Sequence, residues 1–155
     1  MKKIAFLTSG GDAPGMNAII RAVTRSCVYN NIIPVGVYRG FDGLINGDFK
    51  EMNARSVKGI INKGGTILKT ARSAEFRTIE GRKKAYDNLI KNNIDGLIII
   101  GGDGSFTGGL VFHKEFKIPI IGIPATIDND IYGTSHTAGY DTAFLLSSPI
   151  DPGPA

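Results

Sequence analysis

The sequence predicts an α/β protein: a doubly wound, mostly parallel sheet with helices on both faces, in a Rossmann-like three-layer arrangement. Three observations predict it. Short apolar runs alternate with stripes of 3.6-residue period in a repeated β-α-β rhythm. Gly96 to Ile100 is nearly all apolar, as expected of a strand covered on both faces. Glycine-bearing polar clusters follow the runs where strand should give way to helix.

Lys3 to Thr8 is the first strand, and Met16, Ile19, Ile20, Val23 and Cys27 form the stripe of the helix behind it. Ile32 to Tyr38 reads as the second strand. Phe41 to Lys50 reads as glycine-rich loop with a small hairpin, and Val57, Ile60 and Ile61 suggest one short helix stopped by Gly64-Gly65. Ala85, Leu89 and Ile90 mark a charged amphipathic helix between Thr78 and Asn92. A helix near Ser105 to Phe116 and a strand at Pro119 to Pro124 follow. Asp141 to Ser148 can start a further helix, which Pro149, Pro152, Gly153 and Pro154 would end.

At 155 residues the chain can bury roughly 70% of its unfolded surface. One domain is expected, with no internal repeat. The 18 basic and 14 acidic side chains give a net charge of +4. The basic residues are scattered apart from Arg82-Lys83-Lys84, a pattern that suits small anionic ligands better than a nucleic acid. The single cysteine, Cys27, excludes an intrachain disulfide or a multi-cysteine metal site and fits a reducing cytosol. No apolar stretch approaches the roughly 20 residues of a membrane span, so a soluble, cytoplasmic protein is expected.

Ligands of such sheets bind outside the carboxyl ends of the strands. Three polar clusters fall there: Thr8 to Asp12, Gly101 to Ser105, and Thr126 to Asp130. Glycines at a strand-to-helix turn let the backbone approach a phosphate, and free amides at the helix start supply donors. Gly10, Gly11 and Gly15 form one candidate cradle; Gly101, Gly102, Gly104 and Gly108 form another. Tight turns without a ligand are the alternative. The P-loop pattern does not occur, and the dinucleotide fingerprint fails by one residue at Gly102, Gly104 and Gly108. Arg39 follows the second strand where a dinucleotide fold wants an acid for the ribose, which counts against a nicotinamide-binding oxidoreductase.

Asp103 among phosphate-facing amides would repel the ligand unless a cation such as Mg²⁺ intervened. The alternative is a helix N-cap. Phosphoryl transfer to an alcohol needs a carboxylate to take the hydroxyl proton, a role open to Asp128 or Asp130. Arg72 and Arg77 could offer guanidinium forks to phosphate oxygens, or be ordinary surface arginines. Arg21 and Arg25, four apart on one helix face, repel each other unless an anion lies between them or the face is simply solvated. Cys27 fits the core, and neither His113 nor His136 has a partner at ligand spacing.

Taken in order, Leu7 to Asn17, Gly64-Gly65-Thr66 with Thr70-Ala71-Arg72, Gly101 to Ser105, and Thr126 to Asp130 resemble the 6-phosphofructokinase family from Met1 to about Ala143. The resemblance implies ATP-dependent phosphoryl transfer to the 1-hydroxyl of fructose 6-phosphate with Mg²⁺, a step of glycolysis. It implies Asp128 as the base, with Thr126 and Asp130 lining the sugar and transferring phosphate. It also implies Gly11, Arg72, Ser73, Gly102, Asp103, Gly104 and Ser105 at ATP, with Asp103 on the metal. Arg21 and Arg25, joined by Arg55, match an effector site for ADP or phosphoenolpyruvate between subunits of a homotetramer. Pyrophosphate-using relatives usually carry Asp and Lys where this chain has Gly104 and Ala125, so ATP is the implied donor. Ala125 stands where the ATP-dependent family typically has glycine, so strain from a positive φ is expected there. The family's chain is about twice this length, and its second domain, which supplies the sugar-phosphate arginines and histidine, is absent here. Residues 1–143 are therefore read as the ATP-binding N-terminal domain, and 144–155 as a divergent, proline-rich end, expected of a truncation or a tail. Such a fragment would bind nucleotide and could lack turnover.

Overall fold

The computed structural model describes residues 2–147. Its elements run β1 (Lys3–Thr8), α1 (Met16–Tyr29), β2 (Ile33–Val37), α2 (Gly40–Asn46), β3 (Phe49–Glu51), a 3₁₀ turn (Glu75–Arg77), α3 (Ile79–Lys91), β4 (Gly96–Gly101), α4 (Asp103–Phe116), β5 (Ile120–Pro124) and α5 (Tyr140–Ser147). The strand order is β3-β2-β1-β4-β5, parallel except for β3, which pairs antiparallel with β2. The expected doubly wound, mostly parallel sheet is present.

Alternation along the strands divides the apolar residues into two cores. Ala5, Leu7, Val35, Val37, Leu97 and Ile99 face a layer supplied by α2, α3 and α4, including Leu44, Leu89 and Phe112. Phe6 and Ile100 face the other way, against Met16, Ile20, Val23 and Cys27 of α1 and against Val57, Ile60 and Leu68. Aromatic rings knit the first core: Phe41 stacks on Phe76 at 4.1 Å, and Phe76 meets Phe112 at 5.5 Å. Burial pushes the Cys27 thiol up, as its place in the second core requires.

Two local expectations are corrected. Phe41 to Lys50 is not a glycine-rich loop with a hairpin of its own; it holds α2 and then β3, which pairs back to β2. Phe41, Leu44 and Ile45 have helical spacing and are buried, and glycine is required at Gly43 because a Cβ there would lie 1.7 Å from the Tyr38 carbonyl oxygen. Conversely, Val57 to Ile61 forms successive turns rather than a helix. Gly59 takes a left-handed φ of 68°, and Val57 and Ile60 plug the α1-side core while Ile61 stays exposed.

Helix α3 starts where the sequence placed it, because the Thr78 hydroxyl accepts the Gly81 amide at 3.0 Å. Helix α5 occupies the expected position but buries no residue, leaving Leu145 and Leu146 exposed. The prolines expected to end it lie outside the described residues. No described helix is long and apolar enough to cross a membrane.

Truncating the fully buried Phe112 to alanine should cost about 3–5 kcal/mol. Thr78→Ala should cost about 1 kcal/mol by removing the α3 cap. Urea unfolding of the two variants checks both values.

Candidate functional site

Strands β1, β4 and β5 lie side by side and parallel, so the turns after Thr8, Gly101 and Pro124 emerge at one edge of the sheet. Backbone bonds carry the alignment past the strands: Ser9 N–H donates to the Ile100 carbonyl and Ala125 N–H to the Gly101 carbonyl, both at 2.9 Å. The buried Ser105 hydroxyl donates to Ser9 Oγ at 2.9 Å and locks the first turn to the second. Gly101 makes this approach possible. A Cβ there would sit 2.5 Å from the Ser9 carbonyl oxygen and 2.9 Å from Ser105 Oγ. At Gly102 a Cβ would lie 3.5 Å from Thr126 Cβ, so the second turn also touches the third.

Both glycine turns lead into uncapped helices. Helix α1 begins after Gly15, in a left-handed conformation with φ 89°, and α4 after the extended Gly102; neither has a side-chain cap. The Asn17 and Ala18 amides of α1 and the Asp103 and Gly104 amides of α4 are left as donors, with the positive end of each helix dipole behind them, whereas Met16 N–H donates to the Ala13 carbonyl and Ser105 N–H to the Gly102 carbonyl. Cβ atoms built on Gly11 and Gly104 meet nothing within 4 Å, so space is open above both turns. Asp103 is the first residue of α4 and exposed. It does not cap the helix, which removes the N-cap alternative.

A third segment, residues 63–77, is tied to the same edge by buried polar residues. Asn17 Nδ2 donates to the Lys63 carbonyl at 2.9 Å, and its Oδ1 accepts the Ile67 amide at 2.8 Å. Thr8 Oγ1 bonds Thr66 Oγ1 and donates to the Lys69 carbonyl, each at 3.0 Å. Arg72 is exposed, while Ser73 Oγ accepts the Phe76 amide at 3.3 Å and opens the 3₁₀ turn that carries Arg77. Arg82 donates to the Phe76 and Arg77 carbonyls at 3.1 and 2.8 Å and forks onto Glu115 at 2.6 and 2.7 Å.

In the third turn, Asp128 and Asp130 are exposed. Thr126 Oγ1 donates to Asp128 Oδ2 at 3.4 Å and accepts the Asp128 amide at 3.2 Å. The strain expected at Ala125 is not there: Ala125 is buried with an ordinary φ, and the left-handed residue of this turn is Asn129, with φ 49°. Among the described residues no three carboxylate, imidazole or thiol groups form an all-protein metal cage.

The Phosphofructokinase family model matches residues 3–146. The chain belongs to the phosphofructokinase family. It is 60% identical over 143 residues to the ATP-dependent 6-phosphofructokinase 2 of Bacteroides thetaiotaomicron, covering 92% of this chain and 44% of that protein. It is equally similar, with the same coverage, to the ATP-dependent 6-phosphofructokinase of Cytophaga hutchinsonii. The structure of phosphofructokinase from Saccharomyces cerevisiae superposes with a TM-score of 0.90 at 41% identity, over 92% of this chain and 22% of that one. A pyrophosphate-dependent phosphofructokinase from Marinobacter aquaeolei, 18% identical with a TM-score of 0.74 over 90% of this chain and 37% of that one, shares the fold. The chain thus spans 44% of the length of the curated relatives it matches.

Within this phosphofructokinase chain, Arg21 is not merely solvated. It donates to the Val57 carbonyl at 2.7 Å and fastens to α1 the turn that carries the exposed Arg55. Arg25 is exposed. The basic run at 82–84 is neutralised locally, Arg82 by Glu115, Lys83 by Asp87 and Lys84 by Glu75. Arg39, where a dinucleotide fold wants an acid, pairs with Asp48. His113 Nδ1 lies 2.7 Å from the Ile118 carbonyl, a backbone contact within its own helix-to-strand turn, and His136 Nδ1 lies 3.8 Å from Asp141. A cavity of about 250 Å³ lies between α4 and β5, lined by Phe106, Leu110, His113 and Ile120. It is apolar and on the sheet flank, away from the three turns.

Thr8, Asn17 and Arg82 stood inside stretches singled out from sequence, but their roles in holding the site's framework were not read there.

The Arg82 hydrogen bond holds the Glu115 carboxyl below its usual range, against a smaller opposing effect of burial. A depressed folded value means that the pair's stabilisation is present above the ordinary glutamate value and lost as pH falls through the depressed one. Urea midpoints followed from about pH 6 down to about pH 3 should fall less steeply for Glu115→Gln than for the parent, by no more than about 1 kcal/mol.

Proposed function

We propose that residues 1–143 are the ATP-binding portion of an ATP-dependent 6-phosphofructokinase, with 144–155 a divergent end. The reaction is transfer of the terminal phosphoryl group of MgATP to the 1-hydroxyl of fructose 6-phosphate, giving fructose 1,6-bisphosphate. The observation that carries this reading is the joining of two uncapped helix starts to the Asp128 turn through Ser9–Ser105 and Gly102–Thr126 contacts. Donors for phosphate and an acceptor for a hydroxyl proton thereby share one rim.

Asp128 takes the proton of the attacking hydroxyl, and among the described residues its exposed carboxylate has only Thr126 Oγ1 as a side-chain partner. Thr126 and Asp130 face sugar and transferring phosphate. Gly11, Gly102 and Gly104 offer backbone amides to the nucleotide phosphates, Ser105 shapes the turn that holds them by giving its own N–H to the Gly102 carbonyl at 3.0 Å, and Arg72 and Ser73 approach from the third segment. Asp103 fits a Mg²⁺ ion: a single exposed carboxylate beside open space suits a cation that completes its shell with phosphate oxygens and water. The ion supplies charge neutralisation on the phosphates. Open space at Gly104 favours ATP over pyrophosphate as donor, because an aspartate there would crowd and repel a nucleotide phosphate.

Arg21, Arg25 and Arg55 are assigned to an effector site for ADP or phosphoenolpyruvate in a cytoplasmic homotetramer. The Arg21–Val57 bond, which brings the Arg55 turn to α1, supports it. A second reading is favoured by the span of 44% of the curated relatives: nucleotide binding without turnover.

A coupled assay for fructose 1,6-bisphosphate on the purified chain separates the two readings. The assigned chemistry requires Asp128→Ser to lower turnover about 10²- to 10⁴-fold while leaving MgATP affinity unchanged; unaltered turnover would reject Asp128 as base. Calorimetry of Gly104→Asp should show ATP binding weakened about tenfold or more by the added like charge. Undiminished binding would remove the donor assignment.

A further inference from the structure

We propose that Asn129 is a positioning residue for phosphoryl transfer, holding Asp128 and Asp130 in fixed directions from between them. The proposal rests on the reading of Asp128 as base.

Asn129 takes a left-handed φ of 49°, a conformation that short carboxamide side chains tolerate because they can bond locally. Its two functions are both used. Nδ2 donates to the Ser135 carbonyl at 3.1 Å, and Oδ1 accepts the Thr137 amide at 2.9 Å. Thr137 is 4% exposed, and its hydroxyl donates to the Thr126 carbonyl. The next residue fastens the return of the loop to β5, Ala138 N–H donating to the Pro124 carbonyl at 3.1 Å. A closed circuit therefore runs from Thr126 through Asp128 and Asn129 to Thr137 and back to Thr126.

Among the described residues nothing else fixes the carboxylates so firmly. Asp128 has the long 3.4 Å contact with Thr126 Oγ1, and both acids are exposed. Their directions follow from the backbone, and the backbone follows from Asn129. Aspartate at this position would keep the acceptor and lose the donor, while glycine would keep the left-handed backbone and lose both bonds. A base held in its working direction needs no search at the moment of transfer, and small misplacements of a reacting group are costly in rate.

The test compares the full chain with Asn129→Gly and Asn129→Asp by NMR and kinetics. In Asn129→Gly the carboxyl carbon resonances of Asp128 and Asp130 should shift, and the Thr137 amide should exchange about tenfold faster or more. Turnover should fall about tenfold or more with the KM for MgATP held. Asn129→Asp should retain most Thr137 protection and lie between the two. If Asn129→Gly does not fold, Thr137→Val, which removes the hydroxyl bond to Thr126, should move the same two carboxyl resonances. Carboxyl resonances that superpose on the parent's, or turnover that is unchanged, overturn the proposal. A parent chain without turnover overturns the phosphoryl-transfer reading instead; the carboxyl resonances then decide the positioning claim by themselves.

Discussion

The register of three parallel strands sets everything else in this molecule. Thr8 of β1 pairs with Ile100 of β4, and Gly101 of β4 pairs with Pro124 of β5, so the strands finish nearly flush. Parallel strands need crossovers that return the chain to the opposite edge, which leaves the carboxyl edge free for short turns. A slip of one residue in any strand would exchange the faces of its apolar side chains between the two cores. Core packing thus fixes the register, and the register fixes which turns meet.

On that edge the chain concentrates two opposed kinds of charge. Helices α1 and α4 each leave two amides of the first turn without a carbonyl, Asn17 and Ala18 in one and Asp103 and Gly104 in the other, while Asp103, Asp128 and Asp130 add carboxylates at the same edge. Either set alone would be poorly matched to a reacting phosphate. In the proposed reaction the amides bind phosphate oxygens, the acid on α4 would hold a cation, and the acid after β5 would accept the proton. Open space at Gly11 and Gly104 keeps both amide turns accessible.

Much of this was legible in the sequence because its causes are local. Strand β1, the stripe of α1, the Thr78 cap of α3 and the apolar run of β4 each leave a short-range pattern. Helix α2 escaped because its glycines at 40, 43 and 47 read as loop, whereas Gly43 serves a close backbone approach. The segment from Val57 to Ile61 misled in the opposite sense, its apolar spacing filling a core without a helix. The polar framework of the site was hidden for another reason. Asn17 bonds residues nearly fifty positions away, and Arg82 joins helices α3 and α4; no window of sequence contains both partners.

The bond between Ser105 and Ser9 spans 96 positions and is buried, with Gly101 pressed against both. These three sites form one packing unit in which each residue's size is set by the other two. Evolution within such a unit is expected to proceed by joint replacement: a bulkier residue at 101 demands a retreat at 9 or 105, and a lost hydroxyl at one serine leaves the other buried and unpaired. Inherited variation along the chain should therefore tie two turns together that peptide chemistry keeps far apart.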